Sequence, residues 1–292
     1  MDNATKHHFA VFGLLFGAVV WGIIWYPYRL LEAAGLSGVA SSLATYSIAL
    51  GLGAAIFAGN WRSLFHTPRI VLVLAVAAGW ANLSYVLAVI DGEVMRVLLL
   101  FYLSPLWTLL LAKLLLKEQP GLRGLMVIAL SLTGAFIMLW QDSNAVPMPQ
   151  NRAEWLGLSS GFSFALTNVL TRRASHLSLQ AKSFAVWLGV ALGALLLLPF
   201  DTAPIPLLSL NLWLLVAGIG VLLAVSTLLV QFGVTQMPAN RSSVIFLFEL
   251  VVAAIASYLL AGEVLTLREW VGGAMIVVAS ISAANVGEKS AP

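Results

Sequence analysis

Residues 141–152 read QDSNAVPMPQNR, the longest polar stretch in a chain otherwise built from apolar runs. Pro147 and Pro149 disfavour helix, so the stretch is expected to be a link. Outward from it, apolar runs of about 20 residues, the length needed to cross a bilayer, recur on both sides. Before it, spans are expected near 9–31, 38–59, 69–90, 94–114 and 122–141. After it, they are expected near 154–173, 182–200, 211–231, 240–261 and 268–286. The link therefore separates two groups of five. The expected organisation is a first five-helix unit over 1–143, a link over 144–153 and a second five-helix unit over 154–292.

Composition points the same way. Of 292 residues, 61% are AVILMFWYC and 9% are charged, against roughly 25% charged in a soluble domain. The mean hydropathy is +0.97. A soluble fold cannot hide that much apolar surface behind so few charges. A soluble globular protein, a disordered chain and a nucleic-acid partner are excluded. There is no cysteine, so disulfides, thiolate chemistry and Cys-ligated metals are excluded too. The first span could be mistaken for a cleaved signal peptide. Its apolar run is too long, and Trp21, Trp25, Tyr26, Tyr28 and Arg29 do not make a small-residue cleavage site.

Charge placement sets the orientation. With ten spans, one side collects Lys6, Arg62, Arg69, Lys113, Lys117, Arg123, Arg172, Arg173, Lys182, Arg241 and Lys289, while Arg29, Arg96, Arg152 and Arg268 fall on the other. Basic residues favour the cytoplasmic side, so both termini are expected there, in the inner membrane of the cell. Trp61, Trp140, Trp155, Trp213 and Trp270 fall near span ends, where interfacial aromatics belong.

The two groups resemble each other at an offset of about 145 residues. Arg96, Glu118 and Arg123 are matched by Arg241, Glu263 and Arg268, Asn82 falls opposite Thr227, and Ser104 opposite Glu249. Gly13, Gly17 and Arg29 match Gly157, Gly161 and Arg173 one position off that register. Because each group holds an odd number of spans, the second must enter the membrane inverted. The expected fold is all-α, with ten transmembrane helices in two inverted five-helix repeats around a central cavity, a common transporter design with its site near the midplane.

Candidate site residues follow from what a bilayer makes costly. Glu249 lies in mid-span, where an ionisable group is expensive and marks a functional site by default. The plainer reading is a carboxyl that bridges two helices. Small and polar stripes on other spans include Tyr46, Asn82 with Tyr85, Asn168, and Thr227 with Gln231. For any one of them close helix packing is a sufficient explanation; together they must enclose something polar. Trp21, Tyr85 and Tyr102 share helices with these stripes and suit a flat apolar or cationic ligand. Trp107 and Trp187 sit among Leu and Val and read as packing. Pro105 should kink its span and leave the Phe101 carbonyl open to a ligand; Pro27 is a second candidate hinge. The Gly-x-x-x-Gly at Gly13 and Gly17 reads as a helix-packing face.

The sequence has no P-loop and no HExxH, and His7, His8, His66 and His176 fall at span ends. No cofactor and no metal are expected. An intramembrane enzyme would need paired catalytic groups at depth, and Glu249 has no such partner. A passive channel has little use for an inverted repeat.

Two five-span halves in roughly 300 residues resemble the drug/metabolite transporter superfamily, and within it the EamA-type exporters. The run GAVVWGIIWYPYR from Gly17 and the run from Trp80 to Tyr85 are similar to those of aromatic amino-acid exporters. The resemblance implies a basket-like bundle, peripheral fifth and tenth spans, and export without direct use of ATP. The expected partners are membrane lipid and a small-molecule substrate, an aromatic amino acid or related metabolite, handled by a monomer.

Overall fold

The computed structural model describes residues 2–57, 68–91, 94–140, 149–203, 206–261 and 265–285, and among them every regular element is a helix. Helices α1 (Asn3–Ala33), α2 (Gly38–Ile56) and α3 (Pro68–Asp91) are followed by the short α4 (Val94–Phe101) and α5 (Ser104–Leu111), then α6 (Leu122–Leu139). Beyond the link come α7 (Arg152–Arg173), α8 (Leu179–Leu197), α9 (Leu210–Gln236), the short α10 (Ala239–Phe246) and α11 (Phe248–Ala256), and α12 (Leu267–Asn285). Expectations resting on Trp61, Arg62, His66, Ser143, Pro147, Glu263 and Lys289 lie outside the described residues.

Local chemistry starts these helices where the apolar runs begin. A first-turn amide without a partner is costly in a membrane. Ser37 Oγ accepts from Ala40 N at 3.1 Å to start α2, and Ser178 Oγ accepts from Ala181 N at 3.2 Å to start α8. At α12, Thr266 and Glu269 cap each other: Glu269 N donates to Thr266 Oγ1 at 3.3 Å and Thr266 N donates to Glu269 Oε2 at 2.6 Å.

Seven helices among the described residues are long and apolar enough to cross a membrane: α1, α2, α3, α8, α9, the α10–α11 run and α12. The fourth expected span falls short because it is not one helix. It divides at Tyr102–Leu103, and its C-terminal end winds as a π-helix over Ala112–Leu116. The ninth counts as one span over Ala239–Leu260, with a one-residue interruption at Leu247 and a π-helix over Ser257–Ala261. α6 is apolar but short, and α7 carries Arg152, Glu154, Asn168, Arg172 and Arg173.

The helices meet through small residues. Gly189 of α8 sits against the Ala75 carbonyl of α3, and Gly220 of α9 against the Thr45 carbonyl of α2. Gly134 of α6 and Gly272 of α12 each lie against the other's carbonyl oxygen, so these two helices cross nearly in backbone contact. Gly13 rests on the Leu229 carbonyl and Gly17 on the Val230 side chain, which makes the Gly-x-x-x-Gly face of α1 its seam with α9. Trp187 is 1% exposed and fills the space beside Gly53, in the packing role read for it. The outer surface is apolar, with Leu72, Val76, Leu196, Leu214 and Val278 exposed, as lipid contact requires. The chain is a multi-pass membrane protein.

The first turns of α1 and the last turn of α12 lie at one end of the bundle. His7 Nε2 donates to the Ala284 carbonyl at 2.7 Å, which joins the first turns of α1 to the last of α12. Gly233, near the end of α9, packs on the Ala10 carbonyl and so lies at that same end.

Candidate functional site

The broken spans place the site. Glu249 falls in the first turn of α11, just past the break at Leu247. The turn at Leu247 is bridged by backbone hydrogen bonds, from Leu247 N to the Val244 carbonyl at 3.1 Å and from Leu250 N to the Leu247 carbonyl at 3.0 Å. Tyr102, at the break of the other divided span, hydrogen-bonds the Glu249 carboxyl through its hydroxyl. Tyr85 of α3 feels the same carboxyl electrostatically. The two breaks thus face each other across one acid–phenol contact. Close approach of α1 completes the surround, because Gly22 lies against the Glu249 carbonyl and the Val252 side chain.

Aromatic rings extend from this point. Phe101 lies 5.2 Å, centroid to centroid, from both Tyr85 and Tyr102. Phe164 of α7 lies 5.5 Å from Phe101 and 5.4 Å from Phe246 of α10. Offset and edge-on geometries of this kind are the favourable ones. The ladder spans α3, α4, α7 and α10 and ends within one turn of Glu249. The sequence drew attention to the carbonyl of Phe101 but not to its ring, and did not single out Phe246, one apolar residue among many.

A second polar chain joins the first through α3. Asn82, one turn before Tyr85, donates from Nδ2 to the Tyr46 hydroxyl at 3.2 Å. Tyr28 of α1 and Thr45 of α2 share a hydrogen bond of 2.9 Å. Asn82, Tyr46, Tyr85, Tyr102 and Glu249 are therefore drawn together. Trp21 packs partly buried between two core clusters, those around Trp187 and Phe246.

Asn168, Thr227 and Gln231 are 4%, 3% and 5% exposed, and no described partner meets Asn168 Nδ2, Thr227 Oγ1 or Gln231 Oε1. A buried polar atom without a partner costs about 1–3 kcal/mol, which a polar ligand or ordered water would relieve. The structure does not draw these three into the Glu249 contact. Thr227 and Gln231 share one face of α9, and Asn168 lies one turn beyond Phe164.

One expectation needs correcting. The Phe101 carbonyl is not open to a ligand: it lies against Gly161 of α7, so closely that no larger residue fits there. Pro27 lies inside α1, which is one helix from Asn3 to Ala33. Pro105 sits in the first turn of α5, buried, just after the break. A proline at the start of a helix removes an amide that would have had no partner. Among the described residues no three His, Cys, Asp or Glu come together as a metal site would require.

A junction that the sequence did not single out joins several helices at the end that holds the first turns of α1. Arg172 Nε donates to Glu118 Oε1 at 3.2 Å, and Ala239 N donates to Glu118 Oε2 at 3.1 Å. Arg172 also donates to the Thr235 carbonyl, and Lys182 Nζ to the Thr235 hydroxyl. Lys182 is 1% exposed. In the sequence it is an ordinary basic residue near the start of a span.

The model of the EamA-like transporter family matches residues 8–140 and 151–284. An uncharacterised transporter of Archaeoglobus fulgidus is 28% identical over 221 residues, 74% of this chain and 76% of that one. An uncharacterised transporter of Pseudomonas aeruginosa is 27% identical over 212 residues, 70% of this chain and 67% of that one. A solved crystal structure superposes with a TM-score of 0.75 at 16% identity, over 94% of this chain and 96% of the other, which shows a shared fold.

Proposed function

The chain belongs to the EamA-like transporter family, and from that premise we propose that it is a secondary transporter that exports amino acids, aromatic ones first, and related metabolites by alternating access. The observation that carries this reading is Glu249 at the start of a half-helix, hydrogen-bonded by Tyr102 and flanked by an aromatic ladder. A carboxyl suits a substrate ammonium, and rings suit a flat side chain. Tyr46, Asn82, Tyr85, Tyr102 and Glu249 form the centre of the binding site. Trp21, Asn168, Thr227 and Gln231 line its approaches. The first span also resembles that of the aromatic amino-acid exporter YddG.

The ten-helix, two-repeat arrangement belongs to the same proposal. It is supported by the two stretches that the family model matches, one on each side of the link. The π-helices at Ala112–Leu116 and Ser257–Ala261 stand in equivalent places at the repeat offset. The crossings of Gly189 on Ala75 and of Gly220 on Thr45 are related in the same way. Alternation would bend the chain at the Tyr102–Leu103 and Leu247 breaks, with Pro105 holding the start of one half-helix; Pro27 is a lesser hinge. The protein would work as a monomer in the inner membrane, with the end that holds both termini in the cytoplasm.

Counterflow of radiolabelled amino acids in proteoliposomes, with and without a proton gradient, tests the substrate. Phe, Tyr or Trp should exchange faster than Asp or Glu, whose extra carboxylate would meet Glu249 in a low dielectric. Faster exchange of Asp than of Phe overturns the reading. For orientation, a cysteine replacing Ser143 in the link should react with an impermeant thiol reagent from outside, and one replacing Ser175 should not. A second reading, export of aromatic amines or other drug-like cations, is favoured by the same carboxyl and rings. It predicts that phenethylamine competes with Phe.

A further inference from the structure

The junction around Glu118 has an excess of positive charge. Two basic side chains converge on Thr235, Arg172 on its carbonyl and Lys182 on its hydroxyl. Of the two, Arg172 is met by a described carboxylate, that of Glu118. Lys182 is 1% exposed, and its described partner is a neutral hydroxyl. Burying an ammonium beside a guanidinium without a carboxylate of its own is costly. The arrangement therefore has room, in charge terms, for one more anion.

The way Glu118 is held shows what such an anion would use. One oxygen takes the Arg172 Nε–H and the other takes the backbone N–H of Ala239, at the start of α10. Pro238, which precedes that helix, has no side chain able to cap it. A guanidinium and an uncapped helix N-terminus together make a receptor for a carboxylate, here filled by one of the protein's own. The receptor also leads inward. Thr235 Oγ1 donates to the Gln231 carbonyl at 2.6 Å, and the buried Gln231 Oε1, one turn deeper on α9, has no described partner. Thr227, with an unpartnered hydroxyl, lies one further turn towards the middle.

We propose that this junction is the cytoplasmic docking site for the carboxylate of the exported substrate, with Arg172, Lys182 and the Ala239 amide as its receptor and Glu118 as an internal occupant that the substrate displaces. The proposal rests on the amino-acid reading above and deepens it: the substrate's two charged groups would be handled at two places, the carboxylate first at this junction and the ammonium later at Glu249. Glu118 and Arg172 side chains are 25% and 28% exposed, so displacement of Glu118 needs no opening of the core.

The test is equilibrium binding to the purified full chain of three probes that differ in charge: L-phenylalanine, 3-phenylpropanoate and phenethylamine. Glu118→Gln should tighten both carboxylate-bearing probes by up to about fivefold, the worth of one partly exposed ion pair, and leave phenethylamine unchanged. Lys182→Gln should weaken the same two probes. Should Lys182→Gln fail to fold, Arg172→Lys, which keeps charge but loses the fork geometry, takes its place with the same expected direction. Equal effects on all three probes, or no effect of Glu118→Gln on either carboxylate, overturn the proposal. The two readings fail separately. If 3-phenylpropanoate binds and responds to Glu118→Gln while phenylalanine is neither bound nor transported, the docking site stands and the amino-acid reading falls. If phenylalanine is transported with the same KM by wild type and Glu118→Gln, the docking site falls and the amino-acid reading stands.

Discussion

The fourth and ninth spans share a backbone plan and differ in chemistry. Each is two short helices followed by a π-helix, with the interruption at Tyr102–Leu103 in one and at Leu247 in the other. In the fourth span the second helix opens on Ser104 and Pro105; in the ninth it opens on Phe248 and Glu249. Proline accompanies one break and is absent from the other, so the break does not depend on it. What the breaks share is position and packing: the Phe101 carbonyl meets Gly161 on one side, and the Glu249 carbonyl meets Gly22 on the other. The interruption is thus a feature of the bundle. What differs is the residue placed after it, a hydroxyl in one span and a carboxyl in the other. Two matched frames carrying unmatched groups give a centre that is polar on both sides and acidic on one.

The largest expected effect comes from erasing that difference. Glu249→Gln should insert and fold normally, because Gln keeps the shape and removes a costly ionisable group. It should reduce transport to near background and flatten its pH dependence, whereas Glu249→Asp keeps part of both. Uptake measured across pH for wild type and Glu249→Gln decides the matter. Superimposable curves would make Glu249 a packing residue and move the site to Asn82, Tyr85 and Gln231.

Cutting the contact between the two breaks should cost less. Tyr102→Phe keeps the ring stack with Phe101 and removes the hydroxyl. One hydrogen bond is worth about 1 kcal/mol net, so transport should fall about fivefold. An unaltered rate in counterflow would mean that the two breaks meet without consequence for the substrate.

Smaller still is the effect of making the fourth span resemble the ninth. Pro105→Ala restores an amide in the first turn of α5, where it has no helical partner to bond. Transport should change by less than about threefold, because the half-helix still begins at Ser104. Abolished transport would restore the proline as the hinge in its own right.

What could be read from the sequence was whatever the bilayer taxes. The helices of α1, α2, α3, α8, α9 and α12 are legible because length and apolarity suffice to announce them. Glu249 is legible because an acid in mid-span is rare. The break at Leu247 was not, since Val244-Ile245-Phe246-Leu247-Phe248 contains neither proline nor glycine and is a good helical sequence on its own. Beside the interruption lies Gly22 of α1, remote in the chain, against the Glu249 carbonyl. Lys182 misled for a related reason. A lysine near a span's start reads as a charge in the headgroup layer, and only the fold brings Thr235, 53 residues away, to cover it. Asn82 and Tyr46, 36 residues apart, pair in the same unreadable way.

Lys117 closes the π-helix of the fourth span in a left-handed conformation, with φ of 58°. Among the described non-glycine residues it is the one with positive φ. A side chain there costs about 1 kcal/mol relative to glycine. Lys117→Gly should therefore raise the thermal midpoint slightly, the smallest effect forecast here, while loosening the turn that presents Glu118 one residue later. Robustness and performance would then pull against each other at a single backbone torsion, and a screen for hardier variants would select the change that a screen for faster ones rejects.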